Sequence, residues 1–161
     1  MAKKNVPIEV KFKNTASAKQ RLIFLFIQTA DAYNRYSDIR FQKLGLSLIR
    51  MVVLSALEMN GGTMKPSEIA KWTFRSPHNI TTLIRRLERD GLVTISPNRT
   101  DNRSVDVVLT EKGRQYIKKA KPIYLDVRKK ALDSITDKQI QVLERIIAVM
   151  KSNIEHSMGI D

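Results

Sequence analysis

The chain of 161 residues contains no cysteine, one tryptophan and two histidines. Without cysteine it has no disulfides, no thiol-based redox sensor and no thiolate zinc site, and this composition fits the reducing cytoplasm where we expect the protein to act. The histidines, His78 and His156, lie far apart in sequence and have no neighbours at metal-ligand spacing. We therefore expect neither a metal centre nor a bound cofactor.

Acidic residues are scarce relative to basic ones. The sequence has 16 Asp and Glu residues against 29 Lys and Arg residues, a formal net charge of +13 at pH 7. Such a charge indicates an anionic partner, with nucleic acid as the first candidate and an anionic membrane surface as the second. The longest apolar run, residues 22–27, is too short to span a bilayer, and no broad exposed apolar face accompanies the basic residues. We expect a soluble protein that binds nucleic acid and has no membrane partner.

Residue groups that carry common enzyme chemistry are also missing. The sequence has no recognisable Ser-His-Asp arrangement, no cysteine nucleophile, no pair of carboxylates in a plausible cleft and no glycine loop for phosphate. We therefore expect that the protein is not an enzyme.

The stretch from Ser76 to Gly91 predicts an amphipathic helix. Ser76 is a suitable N-cap and Pro77 fits the first helical position, while Gly91 is suited to the residue after the end. Apolar residues recur at helical spacing at Ile80, Leu83, Ile84 and Leu87. This stripe should pack inward and leave the other side of the helix to solvent.

The outward side of this helix is basic. Taken alone, it fits a solvated surface as well as a DNA contact, but the net charge and the hairpin that follows favour DNA. We expect residues near the start of the helix to meet base edges or flanking phosphates, since about half or more of such contacts go to phosphate and sugar. The predicted DNA contacts of this region are Arg75, Ser76, His78, Asn79, Thr81, Thr82, Arg85 and Arg86.

Two segments with alternating apolar residues follow and predict a β-hairpin. Val93 and Ile95 belong to the first segment, and Val105, Val107 and Leu109 to the second. The turn between them has nothing to bury, and it is either an ordinary surface turn with a salt bridge or a second DNA contact. A basic helix followed by a basic hairpin is typical of a winged helix-turn-helix. The predicted contacts at the tip are Arg99, Asp101 and Arg103.

The remaining sequence completes a mainly α fold of six helices with a small β-hairpin wing. We expect a basic arm of unknown role at residues 1–16, dimerisation helices at 17–45 and 115–161, and the winged helix-turn-helix at 46–114, with the helix after Thr110 continuing through Pro122. Residues 22–27 are apolar on every side, so they are either deeply buried or face another subunit. The predicted dimer contacts are Leu22, Ile23, Phe24, Phe26, Ile27, Ile140, Leu143, Ile147, Met150 and Ile154.

In combination, four segments resemble the MarR family, the multiple-antibiotic-resistance type of bacterial transcription regulators. The likeness runs from Lys19 to Met150, most of the chain. The matching segments are Gly45-Leu46-Ser47 before the second helix, residues 83–93 at the end of the recognition helix, Asp101-Asn102-Arg103-Ser104 in the wing, and Leu109-Thr110-Glu111-Lys112-Gly113 before the next helix. Pro97, where basic residues are more usual, and the segment before Ser17 depart from the family pattern.

The resemblance implies an obligate homodimer held by the first and last helices of each subunit. It also implies binding to a palindromic operator on double-stranded DNA and, in many members, release by a small aromatic or phenolic acid. In the family a wing arginine reaches the minor groove while an aspartate orients it, roles that correspond to Arg103 and Asp101. Tyr33, Tyr36 and Trp72 are candidate contacts for a small aromatic effector, or else ordinary core residues.

We therefore expect a sequence-specific transcription regulator, most simply a ligand-responsive repressor that binds a pseudo-palindromic operator as a homodimer. The alternative is an architectural protein that binds DNA without sequence preference, for which the high charge alone would suffice.

Overall fold

The computed structural model describes residues 17–43, 45–98 and 104–159, which form six helices and three short strands. The elements are α1 (Ala18–Gln42), α2 (Leu48–Met59), β1 (Thr63–Met64), α3 (Pro66–Thr73), α4 (Pro77–Arg89), β2 (Val93–Pro97), β3 (Val105–Leu109), α5 (Glu111–Ala131) and α6 (Asp137–Ser157). The predicted fold class, mainly α with a β-hairpin wing, is confirmed. The predicted arm at residues 1–16 lies outside the described residues.

The chain divides into two compact units, with the boundary between Ile123 and Tyr124, inside α5. The core of the first unit is formed where α2 packs against α1 and α3, and α3 packs against α4. Its fully buried side chains include Leu54 and Leu57 of α2, Ile69 of α3 and Ile80 of α4. Burying these side chains removes their apolar surface from water, the main favourable contribution to folding.

One detail of α2 differs from the pattern expected for a helix with a single buried face. Ile49 and Val52 are only partly buried, while Met51 and Leu54 are buried alongside Val53. The reason is that α2 contacts α1, α3, β1 and β3, so it is enclosed from several directions and its buried surface is wider than one stripe.

The three strands form one antiparallel sheet in the order β1-β3-β2. Val93 of β2 pairs with Leu109 of β3, and Met64 of β1 pairs with Val107, which is fully buried. The predicted hairpin of β2 and β3 is present. The third strand, β1, was missed because its two residues are too few to show an alternating pattern.

Helix α1 exposes apolar residues over most of its length. Ser17 and Gln20 form a capping box at its start, where each side chain accepts a hydrogen bond from the other residue's backbone N–H. Within α1 only Ser37 and Phe41 are buried. Every side chain of residues 22–27 is between 42% and 52% exposed in the single chain. An exposed apolar patch of this kind is uncommon on the surface of a monomeric protein.

The second unit contains the end of α5 and the whole of α6. Helix α5 continues through Pro122, as predicted. The hydroxyl of Thr136 and the side chain of Gln139 form a capping box that starts α6. No residue of α6 is buried. A groove of about 530 Å³ beside it is lined mainly by apolar side chains, among them Ile135, Val142 and Ile146.

No helix in the described ranges is long and apolar enough to cross a membrane.

Candidate nucleic-acid interface

Helix α4 is held with one side in the core and the other in solvent. The hydroxyl of Ser76 accepts a hydrogen bond from the backbone N–H of Asn79 at 3.4 Å, and Pro77 occupies the first turn. Ile80, Ile84 and Leu87 are buried. The buried stripe fixes the rotation of the helix about its axis, so the side chains opposite to it point outward.

All eight residues predicted to contact DNA from this region are exposed: Arg75, Ser76, His78, Asn79, Thr81, Thr82, Arg85 and Arg86. The structure brings them together on α4 and the two residues before it. The hydroxyl of Thr81 donates to the carbonyl oxygen of Pro77 at 2.9 Å, which leaves it free only to accept. The positive end of the helix dipole adds to the arginine charges and favours an anion here.

Helix α4 contains one acidic residue, Glu88, which lies in its last turn. Its carboxylate accepts a hydrogen bond from the backbone N–H of Ile95 in β2 at 3.2 Å. This contact ties the last turn of α4 to the first wing strand. Arg89 is exposed like the other arginines of α4, and its Nε lies 3.7 Å from the Asp90 carboxylate.

The C-terminal end of α4 is fastened through Asp90. An Asp90 carboxylate oxygen lies 2.7 Å from the guanidinium of Arg50 in α2, and both side chains are about one-third exposed, at 32% and 29%. The carbonyl oxygen of Asp90 accepts a hydrogen bond from Lys112 Nζ of α5 at 2.7 Å. Asp90 therefore joins α4 to both α2 and α5.

The chain leaving α4 is also packed tightly against the start of α5. Thr110 Oγ1 donates to the carbonyl oxygen of Gly91 at 2.8 Å and accepts from the N–H of Gly113 at 3.0 Å. A Cβ at Gly113 would lie 2.3 Å from the carbonyl oxygen of Leu92, closer than packing allows. Only glycine lets the two backbones approach this closely.

Helix α5 is tied in turn to the start of α2. The phenol oxygen of Tyr116 accepts a hydrogen bond from the backbone N–H of Ser47 at 2.8 Å. Burial raises the pKa of Tyr116, although this hydrogen bond and the charge of Arg50 act in the opposite direction. Ser47 is the N-cap of α2, but its side chain makes no capping hydrogen bond.

These supporting residues were not identified from the sequence. Arg50, Lys112 and Tyr116 are single polar residues on predicted helices, and nothing in their spacing indicates that they meet at the end of α4. The ion-pair partner of Asp90, Arg50, lies 40 positions earlier in the chain.

The wing is described up to the base of its tip. The N–H of Asn98 donates to the carbonyl oxygen of Ser104 at 3.0 Å, and its side-chain amide donates to Asp106 at 2.8 Å. Pro97 ends β2, an edge strand of the sheet, where a proline is tolerated. The tip residues Arg99, Asp101 and Arg103 lie outside the described residues.

Two large aromatic side chains are exposed where α3 turns into α4. Trp72 is 47% exposed and Phe74 is 53% exposed. Phe74 has φ 52° and ψ 45°, the left-handed conformation, which costs a residue with a Cβ roughly 1–2 kcal/mol. The N–H of Arg75 donates to the carbonyl oxygen of Ala70 at 3.0 Å and closes the turn. Phe74 therefore stands where a helix end usually has glycine.

The candidate effector contacts have mixed surroundings. Tyr33 of α1 is partly buried, and Tyr36 of the same helix and Trp72 of α3 are exposed. None of the three lines the groove beside α6. Among residues 17–43, 45–98 and 104–159, no group of three or more histidine, aspartate or glutamate side chains is placed to hold a metal ion.

Known proteins with related sequences are transcription regulators. Residues 44–104 match the sequence profile of the MarR family. The chain is 30% identical to the HTH-type transcriptional repressor IacR of Pseudomonas putida over 135 residues, 82% of this chain and 80% of the relative. It is 35% identical to the transcriptional activatory protein BadR of Rhodopseudomonas palustris over 122 residues, 71% of this chain and 66% of the relative.

Solved structures share the fold. AbsC, a MarR family regulator from Streptomyces coelicolor, matches with a TM-score of 0.81 at 18% identity, covering 89% of this chain and 99% of AbsC. Sco3205 from the same organism, solved in complex with DNA, matches at 0.79 and 20% identity, covering 89% and 92%. The organohalide-sensing regulator RdhR-CbdbA1625 in its 2,4-dichlorophenol-bound form matches at 0.78 and 22% identity, covering 92% and 88%. With a relative 30% identical over most of both sequences, this chain belongs to the MarR family of transcription regulators.

Proposed function

We propose that this protein is a ligand-responsive repressor that binds a pseudo-palindromic operator as a homodimer, acts in the cytoplasm and catalyses no reaction. The observation that carries the proposal is the outward face of α4. Four arginines, Arg75, Arg85, Arg86 and Arg89, are exposed on or just before a helix whose other side is locked into the core. A helix of this kind fits the major groove, where arginine can pair with guanine and the remaining residues can reach phosphates.

The wing is proposed to supply the second contact. Strands β2 and β3 form the base of the wing, where the backbone N–H of Asn98 donates to the carbonyl oxygen of Ser104. We assign Arg103 to the minor groove and Asp101 to the orientation of Arg103, with Arg99 on the backbone. These roles extend to this chain what the family's Asp-x-Arg pattern implies.

The homodimer is supported by apolar surface that the single chain leaves in water. Residues 22–27 of α1 are exposed, and so are Leu143, Ile147 and Ile154 on α6. We propose that a second copy covers both sets, with Ile140 and Met150 at the edge. Phe26→Glu should then give a monomer by sedimentation, whereas Gln28→Glu, which adds the same charge to a polar position nearby, should remain a dimer. A dimeric Phe26→Glu protein would contradict this assignment.

The effector is proposed to be a small aromatic compound. The RdhR relative is described as sensing organohalides and was solved with 2,4-dichlorophenol. BpsR of Bordetella bronchiseptica has the same fold, and its DNA binding is regulated by 6-hydroxynicotinic acid. In this chain Tyr33, Tyr36 and Trp72 are the proposed contacts. A screen of aromatic acids for release of operator DNA tests the proposal. If an acid binds the protein but changes neither the release of DNA nor the fluorescence of Trp72, the assignment of these residues is contradicted.

Competition between DNA sequences separates the regulator from an architectural protein. Sites selected from random DNA should converge on an inverted repeat with half-sites about 10 base pairs apart. The selected site should then resist unrelated competitor DNA, and log affinity should fall with log salt at a slope near −0.9 per phosphate contact. If unrelated DNA displaces the protein as well as the selected site does, the regulator proposal fails and the architectural alternative stands.

A further inference from the structure

The turn between α3 and α4 carries an unfavourable residue at a position where a favourable one is easily found. Phe74 adopts φ 52° and ψ 45°, and glycine or asparagine would take this conformation more readily. Among residues 17–43, 45–98 and 104–159, only Phe74 and Ser134 have positive φ without being glycine. An aromatic residue in this conformation is strained, and strain of this kind is concentrated at functional sites.

The side chain of Phe74 does not offset the strain by burial in the core. It is more than half exposed, and Trp72, two residues earlier, is nearly half exposed. In the free protein both rings leave much of their apolar surface in water, where it contributes little to stability. Much of the apolar surface of both rings is therefore available to a partner outside the chain.

The position of the pair indicates what that partner is. Phe74 directly precedes Arg75 and Ser76, which begin the proposed DNA-binding face. Lys71, exposed on the last turn of α3, carries another positive charge beside it. The aromatic pair is thus continuous with a cationic surface, which favours duplex DNA and disfavours a neutral or basic protein.

We propose that Phe74 is an apolar DNA contact that borders the entry of α4 into the major groove. Duplex DNA offers apolar groups of two kinds at such a place, the deoxyribose carbons of the backbone and the methyl group of thymine. This inference rests on the proposed operator binding and adds a contact that depends on apolar surface and not on charge. The strain at Phe74 is then the cost of projecting a ring toward the operator from a tight turn.

Replacing Phe74 separates stability from DNA binding because the two should change in opposite directions. Phe74→Gly relieves the left-handed strain, so the midpoint of thermal unfolding should rise by roughly 2–4 °C. The same variant should bind the selected operator at least roughly fivefold more weakly, since completing the burial of a half-exposed phenylalanine makes a large apolar contribution. Phe74→Asn, which also tolerates this conformation, should reproduce both effects, and Phe74→Tyr should retain the wild-type affinity.

The salt dependence of binding distinguishes this contact from its charged neighbour. An apolar contact displaces no counterion from DNA, so Phe74→Gly should leave the log–log salt slope unchanged. Arg75→Ala should reduce the magnitude of that slope by about 0.9 for each phosphate that the arginine no longer neutralises.

Operator DNA with uracil in place of thymine identifies the group on DNA that Phe74 contacts. Weaker wild-type binding indicates the methyl group, and unchanged binding indicates deoxyribose.

Three results would overturn the proposal. The first is operator affinity of Phe74→Gly within twofold of wild type, and the second is a fall in its thermal midpoint. The third is a weaker affinity accompanied by a smaller salt slope, which would mean that the turn acts only by placing Arg75. If wild-type protein shows no preference for any selected site, the proposed operator binding is wrong, and the Phe74 contact is wrong with it. The change in thermal stability of Phe74→Gly still measures the backbone strain in that case.

Discussion

Replacing Asp90 with asparagine tests whether the end of α4 must be fastened for operator binding. The change removes the 2.7 Å ion pair with Arg50 and also makes the protein more positive by one charge. General electrostatics alone would tighten binding to DNA. If the Arg50–Asp90 pair holds the recognition helix in its reading orientation, binding to the operator should become weaker in spite of the added charge.

The size of the effect follows from the partial burial of the pair. Ion pairs in full solvent contribute up to about 1 kcal/mol, and breaking a buried pair costs about 3–5 kcal/mol. With both side chains about one-third exposed, the pair lies nearer the first case, and we expect the free energy of unfolding to fall by about 1–2 kcal/mol. A contact can bias an orientation by no more than its own free energy, so operator affinity should fall by at most roughly five- to thirtyfold per half-site.

The assay compares Asp90→Asn with a variant of equal charge. Glu58→Gln removes a carboxylate that is exposed at the end of α2, and it should bind the operator as well as wild type or slightly better. Both proteins are titrated with operator and with unrelated DNA at one fixed salt concentration. The reasoning is refuted if Asp90→Asn binds the operator as tightly as Glu58→Gln. A double variant with Arg50→Met should be no weaker than the weaker single variant, because the two residues act through one contact.

Other contacts around the interface give further expectations. Gly113→Ala should lower the free energy of unfolding by about 2–4 kcal/mol in urea titrations, because its Cβ would meet the Leu92 carbonyl oxygen; an unchanged midpoint would show that the backbones can separate. Tyr116→Phe should cost about 1 kcal/mol because the hydrogen bond from Ser47 is removed. Since the folded-state pKa of Tyr116 is raised, its contribution to stability is full below its unfolded pKa near 10 and declines as the pH rises through the folded value, a decline that Tyr116→Phe should remove. Arg103→Ala should weaken operator binding while sedimentation still reports a dimer, and unchanged affinity would remove the wing tip from the mechanism.

Elements with a strong period were predictable from the sequence. Helix α4 has a hydroxyl cap, a proline in its first turn and an apolar stripe, and these local signals agree with one another. Helix α2 likewise begins at Leu48 and ends at Met59 because Gly45 and the glycines after Asn60 interrupt the chain on either side. Where local preference and tertiary packing favour the same structure, periodicity is sufficient.

The features missed from sequence depend on tertiary contacts. The strand β1 exists because two residues pair with β3, and no two-residue pattern can indicate this. The contact between Tyr116 and Ser47 joins positions 69 residues apart. The left-handed conformation of Phe74 runs against intrinsic preference, since a positive φ is rare for a bulky residue and no local pattern indicates it. Such exceptions become visible only when the chain is folded.

The division of α4 into a buried side and an exposed side has a consequence for the history and the engineering of this chain. Residues that seat the helix and residues that face outward occupy different positions, so a substitution on the outward side leaves the buried stripe in place. The outward set can therefore be exchanged, in nature or in a library, while Ile80, Ile84 and Leu87 stay unchanged. A new target sequence can then be acquired without rebuilding the scaffold that presents it.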